Sequence, residues 1–388
     1  MAWSGWPLAF FYSMKRIKML FAINCMNIGG APSVVFEQLR RIDKTKFELF
    51  LLTLYPSKKA NFFSRLSFLE PNHDIRFFLK QRSLFDLGTV FRIFRWMKKE
   101  QFDVAYTHLF LANVLVRLLA ILLRVPVIFS FEHSAYTNKK RYQRIIDRLL
   151  AIGTTRIVVS TPSVATFTVA SEHIPKKKFM IVPNPISLPD LGHIDRGAFR
   201  RRLGIPETAC IIVSLGRFSE EKRQEDIVAA VASLIQEKRI PDIWALLVGH
   251  GSREHSLRLA IEKNNVQERC LLVVEPEKAK EYLRIADLFV ISSEREGQCM
   301  ALYEALMAGV PVIAPRLNTI EDVIIDRVNG LLFSPRDVRE LASAIDLLYH
   351  DRDTRRSLAQ EGKKTISDYA EKSDIKKFEQ GICALLNP

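Results

Sequence analysis

The feature that most constrains this sequence is a strand, turn, helix and strand unit in its second half. Residues 287–291 and 310–314 are short apolar runs rich in strand-forming residues, and a helix-forming segment with an apolar face lies between them. Such runs are typical of strands buried in a parallel sheet and joined by a crossover helix. We therefore predict an open α/β sheet whose ligands bind beyond the carboxyl ends of its strands.

The turn into this crossover helix carries two kinds of polar group. Gly297 occupies the predicted turn, and Glu296 and Glu304 flank the backbone amides that begin the helix. These amides favour a diphosphate, whereas carboxylates favour hydroxyls because they accept hydrogen bonds and repel phosphate. A site with both groups fits a nucleotide sugar. Taken singly, each glutamate is more often a dipole partner or a solvated surface residue.

Two cations follow another predicted strand, 210–215, at the same edge of the sheet. Arg217 comes directly after Gly216, and Lys222 lies five residues further on. They can clamp a diphosphate, because a guanidinium binds phosphate as a fork and an ammonium as a point charge. The competing interpretation is a surface ion pair with neighbouring glutamates. Gly249 forms a further glycine turn after the next predicted strand.

The first half of the chain carries a glycine pair and two histidines near strand ends. Gly29 and Gly30 lie between the first predicted strand and a helix, as in a phosphate-binding loop, although such turns are often only structural. His108 and His133 end two later strands, at the edge where ligands bind. A lone histidine is usually structural, but two at equivalent strand ends favour a site. We expect His133 to be the more important.

Length and composition indicate a globular protein with two domains. A chain of 388 residues is too long to fold around one ordinary hydrophobic core. Its content of 48% hydrophobic and 26% charged residues is typical of folded proteins. The five cysteines are scattered without disulfide or metal-ligand spacing, which fits a reducing compartment.

The excess of basic over acidic residues lies in the first half of the chain. The net charge is +14, and residues 1–200 carry 30 Lys and Arg against 13 Asp and Glu. This excess favours an anionic partner: a membrane surface, a lipid-linked diphosphate, an acidic glycan or nucleic acid. Nucleic acid is the weakest of these, because the basic residues form no recognised nucleic-acid module.

Membrane contact, if it occurs, is expected to be peripheral. No segment reaches the roughly 18 to 20 apolar residues that span a bilayer. Residues 1–13 are apolar and aromatic but lack the basic start and cleavage site of a signal peptide, and Met14 is an alternative start. The predicted helix 85–99 mixes apolar and basic residues, so it either lies in a membrane interface or, as we favour, covers a sheet.

Glu296 and Glu304 are separated by seven residues, and this Glu-x7-Glu pattern resembles the signature of the retaining glycosyltransferases of family 4. Gly-Arg followed by Lys at 216–222 and the Gly-Gly loop at 29–30 resemble the same family. The departure is Cys299, where many members have glycine, which makes the diphosphate turn tighter. The resemblance implies the GT-B architecture, in which two doubly wound Rossmann-like domains face each other across a cleft.

The resemblance also implies a set of site residues and a reaction. The catalytic residues would be His133, Arg217, Lys222 and Glu296. The donor, a nucleoside diphosphate sugar, would bind at Gly29, Gly30, Asn184, Gly216, Arg217, Lys222, Gly249, Gly297, Gln298, Cys299, Met300 and Glu304. The acceptor, a glycan or lipid-linked hydroxyl, would bind near His108 and Glu132. No metal and no cofactor are expected. From the basic excess of residues 1–200 we also expect a peripheral enzyme at the cytoplasmic face of a membrane.

We predict the following organisation: an extension at 1–14, an acceptor-binding domain at 15–185, a linker at 186–206 and a donor-binding domain at 207–370. The last helix, 371–388, is expected to cross back to the first domain. Two alternatives remain open: a GT-B epimerase or phosphorylase, and a basic nucleic-acid-binding protein.

Overall fold

The structure is a computed structural model, which describes residues 15–27, 29–57, 65–71, 73–79, 86–137, 139–186, 195–372 and 375–386. The predicted extension at 1–14 and part of the predicted linker lie outside these residues. The described chain forms two parallel sheets, as the sequence predicts.

The N-terminal sheet has seven parallel strands in the order β3-β2-β1-β4-β5-β6-β7. Their bounds are β1 Ile17–Ile23, β2 Phe47–Thr53, β3 Asp74–Arg76, β4 Val104–His108, β5 Val127–Glu132, β6 Arg156–Val159 and β7 Phe179–Ile181. The helices between them are α1 Gly30–Arg41, α2 Leu87–Glu100, α3 Phe110–Leu122, α4 Arg141–Gly153 and α5 Pro162–Glu172. Helix α1 includes Pro32, which is tolerated because it lies in the first helical turn.

The C-terminal sheet has six parallel strands in the order β10-β9-β8-β11-β12-β13. Their bounds are β8 Cys210–Leu215, β9 Ile243–Val248, β10 Cys270–Val273, β11 Leu288–Val290, β12 Val312–Pro315 and β13 Leu331–Phe333. The helices are α6 Arg196–Arg202, α7 Gln224–Gln236, α8 Glu254–Lys263, α9 Met300–Met307, α10 Asn318–Glu321, α11 Val338–His350, α12 Arg352–Lys372 and α13 Ile375–Leu386. Between β10 and β11 the chain forms a 3₁₀ segment, Pro276–Arg284.

The strand, turn, helix and strand unit of the sequence is β11, α9 and β12. The two strands pair in parallel, with Phe289 opposite Val312. Gly309 follows α9 in the left-handed region at φ 70°, a conformation that glycine adopts without strain and that ends helices. This confirms the crossover helix.

The C-terminal helix crosses to the N-terminal domain. Phe378 and Ile382 of α13 are buried in the same core as β1, β4 and β5, and the Phe378 ring lies 5.4 Å from that of Tyr106. The backbone amide of Asp43 also donates to the Glu379 carboxylate at 2.8 Å. The last helix thus fastens the end of the chain to the first domain.

Helix α2, the segment with a possible membrane role, covers the N-terminal sheet. Ile93 and Met97 are buried in a core shared with β1, β2 and α3. Its arginines lie over aromatic rings, with the Arg92 guanidinium 5.6 Å from the Phe77 ring centre. Within the described residues, every helix is too short or too polar to cross a bilayer.

Candidate active site

The two domains touch, backbone against backbone, at the turn before α9. Ser134, just after β5, forms an antiparallel bridge with Gly297. A Cβ atom at Gly297 would lie 2.0 Å from the carbonyl oxygen of His133, so a residue with a side chain cannot fit without moving one domain. Glycine at this position therefore permits the contact between the domains.

Beside this contact, Lys222 and Glu296 form a partly enclosed ion pair. The Lys222 Nζ atom lies 2.6 Å from Glu296 Oε1, and the Ser293 hydroxyl donates to the same oxygen at 2.5 Å. The Ser292 hydroxyl donates to the Lys222 carbonyl at 2.9 Å, which joins the loops after β8 and β11. Burial is the largest single influence and lowers the pKa of Lys222, but the charge and hydrogen bond of Glu296, together with Cys299, raise this pKa above its ordinary value. The lysine is thus held as a cation.

Arg217 lies in the same loop but extends into solvent. Its side chain is 69% exposed, and its Nη2 atom is 3.5 Å from the Glu221 carboxylate. The backbone around it is ordered, because Gln224 donates to the Arg217 carbonyl at 3.2 Å and Phe218 donates to the His250 carbonyl at 2.9 Å. The guanidinium can therefore swing towards a ligand from a fixed base.

Gly249 has a packing function that the sequence does not show. A Cβ atom there would lie 1.8 Å from the Gly216 carbonyl oxygen, so the loops after β8 and β9 pass at backbone contact. Around Gly216 itself there is more space, and a Cβ atom added there would have its nearest neighbour 3.7 Å away in Gln224. Gly249 thus lets the loop after β9 pack closely against the loop after β8, which carries Arg217 and Lys222.

The two predicted histidines contact each other directly. His108 Nδ1 lies 3.1 Å from His133 Nε2, so one ring donates to the other. Burial lowers the pKa of His133 to about 3, and burial together with His133 lowers the pKa of His108 well below its ordinary range. Both rings are therefore neutral at pH 7, and stacking of His108 on Phe21 and Phe131 fixes the pair at the carboxyl edge of the sheet.

Glu132 does not share the environment of His133. Its side chain is buried, and its carboxylate accepts from Lys139 at 3.1 Å. Lys139 also bonds Asp147 and Glu172, so Glu132 belongs to an ion cluster inside the N-terminal domain. Burial raises the pKa of Glu132 to about 7. Successive strand residues point to opposite faces of a sheet, so the side chains of Glu132 and His133 are separated. The partners of the Glu132 carboxylate are therefore side chains inside the N-terminal domain, although the sequence predicts an acceptor there.

Asn184 and Gln298 join the two domains near the site. The Asn184 backbone amide donates to Gln298 Oε1 at 3.1 Å, and Gln298 Nε2 donates to the Tyr369 hydroxyl at 2.5 Å. Asn184 Nδ2 lies 3.9 Å from the sulfur of Met300. Sequence reasoning missed Tyr369, which reaches the site from α12 and has no local motif to mark it.

Helix α9 begins at the site without a side-chain cap. Cys299 precedes it as a buried residue, and burial raises the pKa of its thiol to about 12, so the thiol stays protonated. Glu304 is partly buried in the middle of the helix. The first amides of α9 and the Lys222 ammonium lie at the same strand edge, as the sequence predicts for a diphosphate site.

Gly29 and Gly30 stand at the start of α1 and are both exposed. A Cβ atom on either would have no neighbour within 4 Å, so packing does not require glycine there. Gly29 supplies no side-chain cap to α1. The open space before this helix is compatible with the predicted phosphate loop.

Candidate metal ligands lie away from the cleft. Within the described residues, one group of carboxylates and histidine, Glu48, Glu70 and His73, is close enough to share an ion. It lies at the amino-terminal edge of β2 and β3, opposite the cleft, and Arg16 bonds Glu70. The chain's Asp-x-Asp pair begins at Asp351, which caps α12 by accepting from the Thr354 amide at 2.9 Å.

Comparison with known proteins gives a consistent result for both domains. Residues 195–365 match the family model described as Glycosyl transferases group 1, and residues 28–189 match the model described as Glycosyltransferase Family 4.

Curated relatives match over much of the chain. The UDP-Gal:alpha-D-GlcNAc-diphosphoundecaprenol alpha-1,3-galactosyltransferase of Escherichia coli is 23% identical over 276 residues, which is 69% of this chain and 71% of that protein. The N-acetyl-alpha-D-glucosaminyl L-malate synthase of Bacillus anthracis is 22% identical over 362 residues, or 90% of this chain and 92% of that protein.

Solved structures share the fold. Anabaena Alr3699/HepE in complex with UDP and glucose has a TM-score of 0.80 and 17% identity, covering 96% of this chain and 100% of that one. WaaG, a glycosyltransferase involved in lipopolysaccharide biosynthesis, has a TM-score of 0.72 and 16% identity, covering 95% and 99%.

Proposed function

Because this chain belongs to glycosyltransferase family 4, we propose that it transfers a sugar from a nucleoside diphosphate sugar to a hydroxyl, with retention at the anomeric carbon. The acceptor is a glycan or lipid-linked saccharide in cell-surface polysaccharide synthesis. The supporting observation is the Lys222–Glu296 ion pair beside Gly297. This pair supports the proposal because it offers a cation suited to phosphate and a carboxylate suited to sugar hydroxyls close to the contact between the domains.

The leaving diphosphate is stabilised by cations and amides of the second domain. As the bond from the anomeric carbon to the phosphate oxygen breaks, negative charge grows on the diphosphate. Lys222, Arg217 and the first amides of α9 lie at the edge where that charge develops, and fixed donors of this kind lower the barrier. The sugar gains oxocarbenium character meanwhile, as in other glycosyl transfers.

Glu296 orients the donor sugar, and Glu304 holds the ribose. Lys222 and Ser293 both bond the same oxygen of Glu296, which fixes the carboxylate for accepting hydrogen bonds from sugar hydroxyls. The family resemblance assigns His133 to the C6 side of the donor sugar. The new bond forms from the acceptor oxygen to the anomeric carbon, and the acceptor proton passes to the departing phosphate oxygen.

The donor is a uridine diphosphate sugar, and the reaction needs no resident cofactor or metal. Solved structures of similar fold contain UDP and UDP-glucose, which supports this base as the first choice. Protein cations supply the charge that a metal supplies elsewhere.

The enzyme works at the inner face of a membrane as a peripheral protein. The basic excess of residues 1–200 supports this placement, because the donor diphosphate is clamped from the other half of the chain. An anionic lipid-linked acceptor at an anionic surface makes use of such a field.

The test is incubation of the purified protein with a panel of UDP sugars and lipid-linked saccharide acceptors, followed by NMR of the product. The expected result is a new glycoside with the anomeric configuration of the donor. An inverted product would overturn retention. Free epimerised sugar nucleotide, or sugar 1-phosphate formed from a glycan and phosphate, would indicate the epimerase or phosphorylase alternative.

A further inference from the structure

Helix α4 presents a continuous row of large apolar side chains to solvent. Tyr142, Ile145, Leu149 and Ile152 recur at intervals of three or four residues and are each 50–77% exposed. That spacing places all four on one stripe of a helix. Single exposed apolar residues are ordinary, but a contiguous row marks an interaction surface.

The neighbouring helix α3 extends this row. Leu118 and Leu122 are exposed one turn apart near its end. The ends of the two helices are in contact, because a Cβ atom on Gly153 of α4 would lie 2.9 Å from the Ile121 side chain of α3. We call these six residues of α3 and α4 the apolar ridge: Leu118, Leu122, Tyr142, Ile145, Leu149 and Ile152.

Basic side chains flank the apolar ridge. Arg141, Arg144 and Arg148 follow one side of α4, and the 3₁₀ turn Lys176–Lys178 lies at its far end. The Lys178 ammonium donates to the Ile152 carbonyl at 3.2 Å, so this lysine turn is adjacent to the ridge.

The acidic residue of α4 is withdrawn from this surface. Asp147 is buried, and it accepts from Arg117 at 2.7 Å and from Lys139 at 2.9 Å. Helix α4 therefore offers apolar and positively charged side chains to its surroundings, with its own carboxylate neutralised inside the domain.

We propose that the apolar ridge is the surface by which this protein docks on an anionic lipid bilayer. An exposed helix with an apolar stripe and flanking arginines lies in the interface of such a membrane, with its apolar side chains among the acyl chains and its cations at the headgroups. A two-fold dimer through the ridge would instead bring the arginine rows of two copies together, which is unfavourable.

This surface leads directly to the candidate site. Thr137 lies between β5 and α4, and Arg295 of the second domain donates to its hydroxyl at 2.9 Å. Tyr142 is therefore the end of the ridge nearest the cleft. The next step rests on the proposed function. The apolar ridge holds the protein on the bilayer so that the head of a lipid-linked acceptor reaches His133 from the membrane side.

The experiment is sedimentation of full-length protein with vesicles of phosphatidylcholine and phosphatidylglycerol at low salt. The test variant is the double substitution Leu149→Glu and Ile152→Glu. The matched control carries the substitutions Leu259→Glu and Ile325→Glu, which place the same two negative charges on exposed apolar residues of the other domain. We expect wild type and control to bind, and the double variant to lose about tenfold in bound fraction because both residues leave the acyl region.

Two further measurements make the result specific. The affinity for UDP, measured by calorimetry, and the unfolding temperature should be unchanged in the double variant, which shows that the fold and the donor site are intact. If the double variant binds vesicles as wild type does, the proposal is wrong. A wild-type dimer in light scattering that the double variant dissociates, without vesicle binding, would also overturn it in favour of self-association. Vesicle binding is measured without sugar transfer. Its result therefore does not depend on whether the proposed reaction takes place.

Discussion

Lys222 Nζ lies 2.6 Å from Glu296 Oε1, although the two residues are 74 positions apart in the chain. The pair joins the loop after β8 to the turn before α9, so it both builds the site and fastens two loops. Lys222→Ala leaves a mostly buried carboxylate without its cation. Because a preorganised charge partner is lost, we expect transfer to fall at least about a hundredfold, roughly 3 kcal/mol.

The same substitution should also lower stability, since breaking an enclosed ion pair leaves the partner unpaired. Steady-state transfer and urea unfolding measure the two effects. Lys263→Ala, an exposed lysine at the end of α8, is the control and should change neither. Turnover like that of wild type in folded Lys222→Ala would remove this lysine from the site.

Arg217→Ala should separate catalysis from stability. The side chain is 69% exposed and makes one long contact with Glu221, so its removal should leave the unfolding free energy nearly unchanged. Its proposed partner is the leaving diphosphate, so transfer should fall by about a hundredfold. An equal loss of stability and activity would mean that Arg217 acts through the fold alone.

The sequence predicts the strand ends better than it predicts side-chain directions. Lys222 and Gly297 follow strands at the carboxyl edge of the C-terminal sheet, and His133 follows a strand at the carboxyl edge of the N-terminal sheet, because parallel strands all end at the same edge of their sheet. The sequence pattern groups Glu132 with His133, yet strand alternation turns Glu132 into the ion cluster of Lys139. Tyr369 could not be found, because its contact with Gln298 depends on how α12 packs on α9, 71 residues away in sequence.

The choice of the helix that docks on a membrane shows the same limit of prediction from sequence. Helix α2 and helix α4 both mix apolar and basic residues, and only packing distinguishes them. In α2 Ile93 and Met97 are buried and only Leu87 and Phe91 are strongly exposed, whereas α4 exposes a row of four large apolar residues along its length. Composition therefore indicates a basic, membrane-compatible half, but the choice of helix requires the tertiary structure.

Gly297→Ala should weaken the contact between the domains. A Cβ atom would lie 2.0 Å from the His133 carbonyl oxygen, and since that atom is backbone, one domain must shift. We expect at least about a tenfold loss of transfer, because small misplacements of reacting groups are costly. The control is Gly88→Ala in the first turn of α2, where the nearest neighbour would be 3.8 Å away. Solution scattering should show a more open molecule only for Gly297→Ala.

Excess EDTA should leave transfer unchanged. The proposed charge partners of the diphosphate are Lys222, Arg217 and backbone amides, none of which a chelator removes. The measurement is turnover in EDTA with and without added Mg²⁺ or Mn²⁺. Loss of activity that either ion restores would contradict the account based on protein cations.

Acid should destabilise the protein through its histidine pair. Burial lowers the pKa of His133 to about 3, whereas an unfolded histidine titrates near 6.5. Between these two values the unfolded chain binds a proton that the folded chain does not bind, so the unfolding free energy falls as the pH falls from about 6.5 towards 3. Above about 6.5 the group contributes no pH dependence, because both states are neutral.

The variant His133→Asn isolates this contribution from that of the carboxylates. Urea unfolding of wild type and variant at several pH values between 4 and 8 gives two curves, and their difference belongs to His133 and its contact with His108. We expect the variant to lose less stability than wild type as the pH falls below 6.5. Parallel curves through this range would show that His133 is protonated in the folded protein, and that the ring facing His108 at 3.1 Å is a cation.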